Sequence, residues 1–229
     1  MPSRQFVKYT FLKVDPAWRR LDARQRAAHK QEFLAACADF EADHLLRAFS
    51  LVGTRGDAEL MLLAQAPSLD AIHEFHVVLA QSGVMSWATT PYSYLAMTKE
   101  SEYSDETRLE GRPRHSKYLF VYPFVKTREW HLLPGDERMD VMREHIEVAR
   151  TFPKIDNNTA YSFGLDDQEF VVAFETDDPG QFLDLVQALR RTASSRYTER
   201  DTPIFTCISA SVERALNALD GEPAVLAVA

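Results

Sequence analysis

Two cysteines, Cys37 and Cys207, are too few for a disulfide framework, and both read as small hydrophobes placed in a core. Glycine is also scarce, with 8 in 229 residues. Those in the GTRGDAE segment follow no phosphate-cradling pattern and read as turn residues. No apolar run approaches the roughly 18 residues a membrane helix needs. The opening stretch MPSRQFVKYT holds no such run either, so neither a signal peptide nor a membrane partner is expected, and a cytoplasmic enzyme is. Positive charge is in deficit: 26 Lys and Arg face 34 Asp and Glu, giving a net charge of −8 and a pI near 5.4. That balance excludes a general nucleic-acid binder, whose phosphates demand a basic face, and argues against docking on anionic lipid. What remains is 45% hydrophobic and 26% charged, the make-up of a soluble globular chain able to bury a substantial core.

Hydrophobic periodicity maps the chain as two similar halves. A strand over 5–14 leads to an amphipathic helix over 22–42. The strands HLLRAFSLVG and AELMLLAQ follow, joined by a turn at 53–57. A helix then opens at an N-cap Ser68, and the strand TPYSYLAMT closes the half. Residues 100–116 are polar and read as a linker. The order then recurs: strand KYLFVYPFVK, helix GDERMDVMREHIEVAR, strands NNTAYSFG and QEFVVAFE, helix DPGQFLDLVQALRR and strand TPIFTCISA. Landmarks recur too. Gly53 and Gly164 lie 111 apart, Trp18 and Trp130 112, Thr90-Pro91 and Thr202-Pro203 112, and Lys13 and Lys126 113. The reading is α+β: two ferredoxin-like βαββαβ units, 1–99 and 117–212, forming a dimeric α+β barrel-type pair with a tail over 213–229.

One residue of the second half stands out chemically. On GDERMDVMREHIEVAR, Met139, Met142, Ile146 and Ala149 define an inward stripe, and His145 sits at its edge, near Val141. A neutral imidazole there can offer one ring nitrogen to iron while the other bonds a neighbour. A histidine straddling core and solvent would have the same pattern.

Tyr122 and Lys126 in a Y-P-x-x-K strand, Trp130, Glu137, Arg138, Met142, His145, the Gly164–Asp167 turn and the RYTERDTPIF segment together resemble the chlorite dismutase superfamily, and the resemblance extends over nearly the whole chain. It implies a duplicated ferredoxin-like protein binding an iron porphyrin, haem b or coproheme III, in its second unit, with His145 as axial ligand. It also implies a homo-oligomer, a pentamer for a chain with an intact first unit.

Position by position, the resemblance separates the chemistries. Chlorite dismutases place an arginine above the iron, just ahead of the Gly164 turn. Counting back puts Asn157 there, or Asn158 if the one-residue deletion falls elsewhere. Asparagine lacks the guanidinium's cationic fork, so chlorite splitting is disfavoured. Coproheme decarboxylases carry glutamine at that position, and Asn157 is its shorter homologue, able to line the distal side and orient peroxide. Tyr122 matches their redox tyrosine and Lys126 the partner of a porphyrin propionate. Without the resemblance, these two would be an inward strand aromatic and an edge-strand charge. Ser194 or Ser195 falls near a propionate-binding serine. No glutamate stands where several chlorite dismutases back the ligand histidine; Ala193 and serines do. The implied reaction is oxidative decarboxylation of coproheme to protohaem by hydrogen peroxide. The alternatives are a peroxidase-like activity on an unknown substrate and a porphyrin carrier or sensor.

Other pairs have plainer readings. His73 and His76 lack the further ligands of a metal site and read as surface or packing residues. Asp166 and Asp167 suit a turn. Arg55 suits a structural salt bridge, and Arg138 a surface ion pair.

Overall fold

The computed structural model describes residues 4–99 and 116–221, so most of the expected linker, and residues 222–229 of the expected tail, lie outside the described residues. Contacts divide the chain into two compact units, Ser3–Leu95 with Thr206–Ala229, and Ala96–Phe205.

The first unit runs β1 (Phe6–Val14), α1 (Ala23–Glu41), β2 (Leu45–Ser50), β3 (Leu60–Ala66), α2 (Leu69–Leu79) and β4 (Ala88–Met97). All its mapped strand pairs are antiparallel. β1 aligns with β3 from Phe6↔Ala66 to Leu12↔Leu60, and β2 with β3 from Leu45↔Gln65 to Ser50↔Leu60. β4 lies beside β1. The helices begin where capping chemistry allows: Asp22 accepts from the Gln25 N–H at 2.8 Å, and Ser68 from the Ala71 N–H at 3.2 Å. α1 buries Lys30, Phe33, Ala36, Cys37 and Phe40, a three-to-four-residue spacing that defines one face. That face joins Trp18, Leu12, Leu62, Phe75 and Val84 in a filled core.

Two late segments complete this unit. β10 (Phe205–Ala210) pairs antiparallel with β2 through Ile208↔Ser50, Ser209↔Phe49 and Ala210↔Ala48. α6 (Val212–Asn217) stands where the sequence reading has only a tail. Beyond it Asp220, its carboxylate only 1% exposed, receives Arg26 and Lys30 at 2.9 Å each.

The second unit runs β5 (Tyr118–Lys126), α3 (Arg128–Leu132), α4 (Gly135–Arg150), β6 (Asp156–Asn157), β7 (Ala160–Tyr161), β8 (Phe170–Thr176), α5 (Pro179–Leu189) and β9 (Thr198–Arg200). β5 and β8 pair from Tyr118↔Thr176 to Phe124↔Phe170. The strand expected over NNTAYSFG is instead two short pieces. Asn157 Oδ1 accepts from the Thr159 N–H at 3.0 Å and the Thr159 hydroxyl at 2.6 Å, a local turn that competes with the ladder. The core here is thinner, with Phe120 stacked on Phe182 at 3.9 Å beside Val172, Phe174 and Leu185. Unlike α1, α4 has no buried residue.

Candidate functional site

The two units share internal contacts that align them residue by residue. Glu32 Oε2 accepts from Gly83 N in the first, and Glu144 Oε2 from Ala193 N in the second. Asp15 N donates to Trp87 O, and Thr127 N to Tyr197 O. These pairs match Phe33 with His145 and Val84 with Ser194. In the first unit Phe33 and Val84 are both fully buried within one apolar cluster. At the matching places in the second unit stand an imidazole and a hydroxyl, with Ser194 Oγ 2.9 Å from His145 Nδ1.

The chain geometry makes that bond. Thr192 Oγ1 donates to Leu189 O at 2.7 Å as α5 ends, opening the turn Ala193–Tyr197. Glu144 then holds Ala193 N at 2.9 Å, next to His145 on α4. Ser194 is 2% exposed and points at the ring; Ser195 closes the turn on Arg190 O and Thr192 O. Ser194 is therefore the serine that meets the histidine.

Burial drives the His145 imidazole down to about 4, with the Lys126 cation adding to it, so the ring is neutral at pH 7. In the tautomer that puts the proton on Nδ1, Ser194 Oγ accepts it and Nε2 keeps its lone pair. No hydrogen bond engages Nε2 among the described residues. A neutral ring with one nitrogen held and the other unengaged could serve as a lone nitrogen ligand. No group of three or more His, Cys, Asp or Glu side chains of the kind that holds a bare metal ion converges among the described residues. An iron whose equatorial ligands come from a porphyrin needs only one. The half-exposed apolar side of α4, with Met139 43% exposed and Met142, Ile146 and Ala149 part-buried, suits a flat apolar ring.

Lys126 ends β5 behind this histidine. Its Nζ donates to Ser194 O at 3.1 Å and lies 4.5 Å from the centre of the Trp130 ring. Burial lowers the amine to about 8, against an upward pull from Glu169. Tyr122 lies on the sheet face that packs against α5, beside Phe120 and Phe124. Its phenol is pushed well up, by burial first and by Asp201 second, while Arg190, paired with Asp201, opposes this. Asn157 pairs with Phe174, which puts it on the same face as Phe120 and Tyr122. Asn158 points the other way, its Nδ2 donating to Glu175 Oε1 at 3.3 Å. Of the two asparagines, only Asn157 shares a face with Tyr122.

The sequence profile of the chlorite dismutase family matches residues 24–210. The chain belongs to that family. Among family relatives, it is 31% identical over 169 residues to the coproheme decarboxylase of Mycolicibacterium smegmatis, covering 72% of this chain and 73% of that one. Its fold matches a variant chlorite dismutase from Candidatus Nitrospira defluvii, with a TM-score of 0.88 at 23% identity and coverage of 96% and 97%. A heme-binding protein from Thermus thermophilus gives 0.83 at 24% identity, covering 96% and 99%.

Two features escaped the sequence reading. One is the link from His145 through Ser194 to Lys126, between segments 49 and 68 residues apart. The other is a carboxylate, Glu169, that takes both His131 Nε2 and the Lys126 N–H at 2.8 Å. Its first-unit counterpart, Glu59 with Arg19, was the signal available. Three of the residues given plainer readings have local partners. His76 bonds Thr10 and Ile72, Arg55 bonds Asp57, and Asp166 accepts the next N–H in its turn.

Proposed function

We propose that this chain binds an iron porphyrin with His145 as the axial ligand and uses hydrogen peroxide to decarboxylate coproheme to protohaem. The observation that carries the reading is the half-buried, neutral His145, held at Nδ1 by Ser194 where the first unit has the apolar pair Phe33 and Val84. The likeness to a coproheme decarboxylase supports the choice of reaction.

Bound iron porphyrin would supply the oxidising capacity of peroxide. Tyr122 gives up an electron and its phenolic proton, then takes a hydrogen atom from a propionate side chain of the substrate. Each propionate, with one peroxide and one proton, yields a vinyl group, carbon dioxide and two waters. The high proton affinity of the Tyr122 phenol keeps it neutral until that moment. Asn157, on the sheet face of Tyr122, would offer an amide to peroxide. Lys126 was expected at a propionate. Its bond to Ser194 O supports a role behind His145 instead, where its charge adds to the burial that disfavours a protonated ring. That neutral hydroxyl and cation, in place of a carboxylate, also favour a second reading: a porphyrin carrier with weak peroxide chemistry.

We further read the chain as two duplicated ferredoxin-like units, 1–99 and 117–212, working in the cytoplasm as a homo-oligomer, with the pentamer preferred.

Titrating coproheme-loaded protein with peroxide tests the reaction. Stepwise loss of two carboxyl groups, seen by mass spectrometry through a singly decarboxylated species, is expected. Bleaching alone would leave the carrier reading. Tyr122→Phe should keep porphyrin uptake while losing at least about 100-fold in decarboxylation rate.

A further inference from the structure

Arg138 opens the α4 stripe that also carries Met142, His145 and Ala149. The surface ion pair expected for it does not form: its side chain has no hydrogen bond or ion pair among the described residues. The helix itself explains this. Three and four residues away stand Pro134, Gly135, Val141 and Met142, none of them acidic. Arg143 on the same helix does pair, with Asp140 at 2.7 Å, and it is two-thirds exposed, whereas Arg138 is half-buried.

The first unit shows what a cation at this place holds. With Phe33 matched to His145, Arg26 stands for Arg138 and Lys30 for Met142. There α6 and the residues after it lie over the helix face. Ala215, Leu216 and Leu219 join the apolar cluster of Phe33, and the buried Asp220 carboxylate takes Arg26 and Lys30 at 2.9 Å each. In the second unit α4 has no buried residue, so no such segment covers it among the described residues. The lysine nearer the histidine's place has become Met142, and the arginine farther from it remains. A flat apolar ring suits the methionine, and a carboxylate at the ring's edge suits the guanidinium fork.

We propose that Arg138 is a binding residue for a propionate carboxylate of the porphyrin. The proposal rests on the reading of this helix face as the porphyrin site. It supplies a propionate partner once Lys126 is engaged by Ser194 O. Seven residues of α-helix rise about 10 Å, so a group ligated at His145 would meet Arg138 only at its rim, where a porphyrin carries its carboxylates.

Binding titrations without turnover test this, using coproporphyrin III, metal-free and iron-loaded, and its tetramethyl ester. Tryptophan quenching and the Soret band give the affinities. Arg138→Met keeps an apolar stem and should weaken the free acid about 10-fold or more in both forms, the scale of a lost charge-assisted hydrogen bond. It should leave the ester unchanged. Arg138→Lys, a point charge without the fork, should recover part of the loss. His145→Ala should weaken the iron-loaded form alone, so that ligand and rim are read apart. Unaltered free-acid affinity in Arg138→Met, or an equal loss for acid and ester, would overturn the proposal and leave the porphyrin site standing. A wild-type chain that takes up none of these porphyrins would refute the site and the proposal together.

Discussion

At the scale of single residues, the proposed chemistry turns on a few exchanges of apolar for polar groups at matched positions. Ser194 bonds His145 Nδ1 where Val84 packs near Phe33. Ser194→Ala should leave the imidazole without its partner and weaken porphyrin affinity about 10- to 100-fold, measured by Soret titration. His145 also sets a pH dependence. Its folded value, about 4, lies below the ordinary 6.5, so the unfolded chain binds its proton first as pH falls. Stability contributed by the neutral ring is complete above about pH 6.5 and declines through that window, by on the order of 2–3 kcal/mol on reaching pH 4. Urea denaturation between pH 7 and 4 should show this slope, and His145→Phe should flatten it. The position of His145 on an apolar helix edge was legible in the sequence. Its partner was not, because a bond spanning 49 residues depends on how α5 ends and turns, which periodicity does not encode.

At the scale of elements, helices proved easiest to read. α1 and α4 lie where the apolar spacing predicts, and Ser68 caps α2 as its side chain suggests. The broken strand after α4 was not legible, since its alternation looks like a ladder until Asn157 turns its carbonyl back on Thr159. A similar local demand governs the turn after α2. A Cβ on Gly83 would meet the His29 ring at 2.2 Å, and that ring accepts from Trp18 Nε1 at 3.2 Å. The second unit has Ala193 at the place matching Gly83 and Val141 at the place matching His29. Gly83→Ala should therefore destabilise the chain by about 1–3 kcal/mol, read from its denaturation midpoint. His29→Val in the same chain should recover much of that loss.

At the scale of the whole molecule, the alternation of strand and helix periods made the mixed α and β character legible. What the sequence could not reveal was ownership of the last segment. β10 continues the second half in sequence, yet it pairs with β2, and Asp220 ties Arg26 and Lys30 on α1. Ending the chain at residue 205 should strip β2 of a neighbour and leave two cations without their buried acid, so its amides should lose hydrogen-exchange protection. The arrangement also bears on synthesis. The second unit is one uninterrupted stretch, Ala96–Phe205, whereas the first must wait for residues beyond 205 before its sheet and core are complete. As the chain leaves the ribosome, the half made first is thus the half finished last. Its incomplete edge at β2 stays open for the whole time the second half takes to be translated, a window in which a chaperone would have the most to cover.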